Sequence, residues 1–82
     1  MSLEYYKKQM VDLRARLAKE KEAKKRDNEY YADLVKRSST PNSKASYRKA
    51  KIDHAASHDR NIESIKRQIE SCKDSIACER KR

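Results

Sequence analysis

Ser38-Ser39-Thr40-Pro41-Asn42-Ser43 is the only stretch of this 82-residue chain with turn chemistry, and it holds the only proline. Hydroxyl and amide side chains there can bond the local backbone, and proline fixes its own φ. On both sides of it apolar residues recur alternately three and four positions apart. Before it come Leu3, Tyr6, Met10, Leu13 and Leu17, then Tyr31 and Leu34; after it come Ile62, Ile65, Ile69, Cys72 and Ile76. That spacing is the seam of a helix packed along another helix. Leu3 with Ile76, Met10 with Ile69 and Leu17 with Ile62 are each centred on the bond between Ser39 and Thr40. A chain that folds back at that bond brings the two seams together. The expected fold is therefore all-α: one domain, 1–82, forming an antiparallel two-helix hairpin with helix 2–36, turn 37–43 and helix 43–79.

The helix ends have their own signals. Ser2 is a candidate N-cap with Glu4 close behind, at the positive end of the helix dipole. For the second helix, Thr40 followed by Pro41 fits a hydroxyl cap with proline at the first helical position, and Ser43 is the cap if the loop is longer.

Composition agrees with two helices. The chain has no glycine, and 43% of it is charged against 35% hydrophobic. Nearly every position is a competent helix former. Two rods side by side bury a narrow seam rather than a three-dimensional core. The hairpin is thus expected to complete a helical bundle with a second copy or a helical protein partner. The interface residues would be Leu3, Tyr6, Met10, Leu13, Leu17, Tyr31, Leu34, Ile62, Ile65, Ile69, Cys72 and Ile76. Tyr5, Val11, Tyr30, Val35, Tyr47 and Ile52 remain outside the seam and point to a second surface. No apolar run reaches the roughly 18 to 20 residues needed to span a bilayer, and the opening residues lack a signal peptide's apolar stretch. The expected location is cytoplasmic, or exported without a cleaved signal. Cys72 and Cys78 fall on different faces of one helix, which disfavours a bond between them and leaves an interchain contact as the alternative.

The middle of the seam is polar. Glu20, Lys24 and Asp27 should face His58 with Asp59, Ala55, and Lys51 with Ile52. This register predicts Asp27 paired with Lys51 and Glu20 with a protonated His58. His54 and His58 share a helical face, but Glu20 is the only further ligand nearby, so no metal site is expected. The absence of glycine removes phosphate loops and oxyanion turns. The chain reads as a non-enzyme with no cofactor and no small-molecule substrate.

From Leu34 to Ile52 the chain carries Lys36, Arg37, Lys44, Arg48, Lys49 and Lys51 and no acidic residue, within a formal net charge of +9. Cations mixed with hydroxyls and amides are what phosphate contacts use. These six residues are candidate phosphate contacts. The alternative to an interaction module is therefore a basic protein that binds or coats nucleic acid without reading sequence.

The size, the opening Met1-Ser2-Leu3-Glu4-Tyr5-Tyr6 leading into a leucine-spaced helix, and the closing track of Ile62, Ile65, Ile69 and Ile76 together resemble the small helical-hairpin proteins of Gram-positive type VII secretion. Those are the WxG-type proteins and the short companions that dock on LxG toxins. The turn departs from the pattern, with Ser39-Thr40-Pro41-Asn42 and neither tryptophan nor glycine. The resemblance implies a non-enzymatic protein that forms a helical bundle with a partner and helps to present it.

Overall fold

A computed structural model describes residues 3–81, and the chain is an all-α antiparallel hairpin. Helix α1 spans Leu3–Arg37 and helix α2 spans Pro41–Arg80. The two lie along each other as a rod of 64 × 14 × 12 Å. The expected cap at Ser2 lies outside the described residues.

The turn is shorter than the sequence suggested. Helix α1 runs to Arg37 rather than residue 36, and α2 begins at Pro41 rather than residue 43, so Ser38, Ser39 and Thr40 alone connect them. The cause is the Thr40 cap. Thr40 has an extended backbone (φ −112°, ψ 146°), and its hydroxyl oxygen accepts from the Ser43 amide at 3.2 Å. Proline then supplies the first helical φ at no hydrogen-bonding cost. At the other side of the turn the amide and the hydroxyl of Ser38 both donate to the Leu34 carbonyl, at 3.0 and 2.7 Å. Helices often end on a left-handed glycine. Here no described residue has positive φ, so the serine hydroxyl satisfies the helix end and the chain turns without glycine.

The core lies toward the open end, away from the turn. Met10, Leu13, Ile69 and Cys72 are its buried residues, and Tyr6, Leu17, Ile65 and Ile76 pack against them. Met10 with Ile69 is one of the pairs that the common midpoint brought together. The Cys72 thiol donates to the Tyr6 carbonyl at 3.1 Å, tying the two helices near their ends. Leu3, Tyr31, Leu34 and Ile62 are half-buried along the same seam. Among the described residues no side chain is wholly enclosed. Among the described residues no helix is long and apolar enough to cross a membrane.

Candidate functional site

The seam residues expected to form a partner interface face each other inside the hairpin. What a second molecule meets is the outer surface, the polar waist and the turn end.

The waist is built around His58. Glu20 and Asp27 lie seven residues apart on α1, two turns along one face. The His58 ring enters between them, with Nδ1 2.7 Å from Glu20 Oε1 and Nε2 2.6 Å from Asp27 Oδ2. Both carboxylates accept, so both ring nitrogens must donate, and only imidazolium has two N–H groups. The hydrogen bond to Asp27, followed by that to Glu20, holds the His58 pKa above its ordinary value. The reciprocal effect lowers both carboxylates. Glu20 is lowered first by the amide of Asn61, which donates at 3.0 Å, and then by His58; Asp27 is lowered mainly by His58. The His58 side chain is 16% exposed, which limits competition from water.

More groups surround this clasp. Lys24 meets Asp59 at 2.6 Å, His54 Nδ1 lies 3.6 Å from Asp27, and His54 Nε2 lies 3.1 Å from the Tyr31 hydroxyl. The expected pairing of Glu20 with protonated His58 is present. The expected pairing of Asp27 with Lys51 is not: Asp27 is taken by His58, with His54 beside it. A planar ring two turns farther along α2 reaches the carboxylate, and the charged bonds it makes there are short and strong. Both His58 nitrogens are engaged by carboxylates, and no group of His, Cys, Asp or Glu among the described residues is arranged to hold a metal ion.

The turn end collects the cations. Lys36, Arg37, Arg48 and Lys49 are exposed, and Lys44 and Lys51 are half-buried. Arg37 pairs with Asp33 at 3.1 Å, one turn back on its own helix. Lys44, Arg48 and Lys51 continue the spacing of the α2 seam, opposite half-buried Tyr31, Leu34 and Val35 of α1. The turn end thus combines half-buried apolar side chains on one helix with long cations on the other, whose methylene stems are apolar while their heads reach water. A groove of about 330 Å³ opens here, lined by Asn28, Arg48, Lys51, Ile52 and Ala55.

Of the apolar residues outside the seam, Val35 and Tyr47 are half-buried near the turn. Val11 and Ile52 are each 67% exposed, Tyr30 60% and Tyr5 44%. Tyr5 and Tyr30 pack edge-on against Tyr6 and Tyr31, at centroid distances of 5.5 and 5.1 Å. Cys72 and Cys78 are both free thiols, the first buried and the second exposed.

Sequence reasoning missed the roles of Asn61 and Tyr31 in the waist and the double engagement of His58. The available signal was Glu20 and Asp27 two turns apart, facing a histidine pair. Comparison with known protein families, with curated proteins and with solved structures returns no match.

Proposed function

We propose that the hairpin is a non-enzymatic helical interaction module that acts by packing its outer surface against a second copy or a helical protein partner. One observation carries this reading. Among the described residues four core side chains are buried, none of them fully enclosed, while Val11 and Ile52 stand 67% exposed. A two-helix seam this thin gains much from a third or fourth helix, because burying one aliphatic side chain contributes about 1.5–3 kcal/mol. Under the resemblance to type VII secretion companions, the partner would be a second helical protein that the hairpin helps to present.

The test is sedimentation equilibrium of the wild type and of V11D and I52D, with circular dichroism as a check on folding. Both positions are largely exposed, so the variants should keep their helicity. The expected result is a wild-type hairpin that associates and melts at a temperature rising with protein concentration, and at least one variant that is monomeric. A wild type that stays monomeric, with a melting temperature independent of concentration and unchanged by either substitution, and that recovers no helical partner in a pull-down, overturns the reading.

A further inference from the structure

We infer that the groove beside Ile52 is a docking site for an acidic amphipathic helix of a partner protein. This deepens the interaction-module reading and rests on it.

Six of the nine net positive charges fall between Leu34 and Ile52, where there is no acidic residue. Arg37, one of the six, is paired with Asp33 on its own helix, and Lys24 on the waist side is paired with Asp59. Among the described residues Arg48 and Lys51, the two cations lining the groove, have none. Two cations fixed along one helical face, without counter-charges of their own, complement carboxylates arriving from outside.

An apolar patch adjoins these two cations. Ile52 is 67% exposed and Ala55 lies one turn on, so Arg48, Lys51, Ile52 and Ala55 present cation, cation, aliphatic and aliphatic along two turns of α2. A phosphate backbone offers nothing to bury Ile52. An amphipathic helix with leucine-like side chains bordered by glutamates meets both features at once. This favours a protein segment over nucleic acid.

A second copy of the chain is the wrong occupant. The open end carries more cations than anions, and the acidic groups of the waist are largely engaged by Lys24, His54 and His58. The remaining carboxylates, such as Asp12, Glu22 and Glu63, are interleaved with cations along the same helices, so the described surface offers its own turn end no acidic stretch.

The probe is a synthetic peptide of about three helical turns, with leucine at helical spacing and glutamate elsewhere, labelled for fluorescence anisotropy. Controls are an all-glutamate peptide of equal length and a short DNA duplex. Binding of the Leu/Glu peptide is expected, weakened about tenfold or more by I52D, and by R48A/K51A with a loss of salt dependence. The all-glutamate peptide should bind more weakly and be indifferent to I52D. Equal binding of the all-glutamate peptide or of the duplex, unchanged in I52D, overturns the inference in favour of a plain polyanion surface, and so does no binding of the Leu/Glu peptide. Sedimentation of the same samples separates this failure from that of the module itself: an associating hairpin that ignores the peptide removes only the docking site.

Discussion

His58 is the residue with the most consequences, because its two hydrogen bonds join α1 to α2 in the part of the seam that lacks apolar contacts. Its folded pKa is raised. Such a group stabilises the fold fully below its ordinary value of about 6.5, and the contribution is lost as pH rises through the raised value. Glu20 and Asp27 are lowered. Their contribution is present above the ordinary carboxylate range near about pH 4 and is lost as pH falls through the lowered values. The hairpin should therefore be most stable between those ranges. Thermal melts followed by circular dichroism should give a midpoint that falls on raising the pH from about 6 to 9. In H58Q that alkaline decline should be absent while the acid one persists, though weaker. An identical alkaline decline in H58Q would show that other groups, and not the clasp, cause it.

Two elements meet at a turn whose chemistry is concentrated in Thr40. Removing an N-cap hydroxyl typically costs about 1 kcal/mol, so T40A should lower the melting temperature while T40S should leave it nearly unchanged. Equal midpoints for T40A and wild type would mean that Pro41 alone sets the start of α2. Farther along the same helices, Leu13 is 8% exposed and sits among Met10, Ile69 and Cys72. Truncation of such a leucine to alanine costs about 2–5 kcal/mol, a large share of the stability open to a chain this small. L13A should be mostly unfolded by circular dichroism, whereas K25A, at an exposed position outside the seam, should melt like the wild type. The pairing of these elements was legible because helical spacing fixes which turns of two antiparallel helices meet. Met10 opposite Ile69 and Glu20 opposite His58 both follow from a midpoint between Ser39 and Thr40. The choice of Asp27 for His58 over Lys51 was not legible, because long polar side chains on neighbouring turns reach the same atom and local geometry decides among them. The cap at Thr40 with Pro41 behind it was legible, while the bound at residue 43 was not, because Thr40 and Ser43 can both cap and are hydrogen-bonded to each other in the folded turn.

The rod carries most of its net charge at one end of a 64 Å axis. At about 0.1 M salt the screening length is about 10 Å, so each turn end is felt only in its own neighbourhood. Two copies lying side by side and parallel would place those ends about one helix diameter apart, within that length, and their cations would repel. Antiparallel or open-end-to-open-end pairing separates them by many screening lengths. Any self-association of this hairpin should therefore keep the turns apart, and added salt should strengthen it where it weakens binding of an acidic partner. A nitroxide on N42C, in a chain with the exposed Cys78 changed to Ser and the buried Cys72 retained, reports the turn-to-turn distance by pulsed electron resonance. About 50 Å or more is expected in the associated state, given about 1.5 Å of rise per helical residue. A short turn-to-turn distance in dilute salt would mean that packing along the flanks outweighs the repulsion of twelve facing cations, and the charge at the turn would then not determine how the hairpin chooses its neighbours.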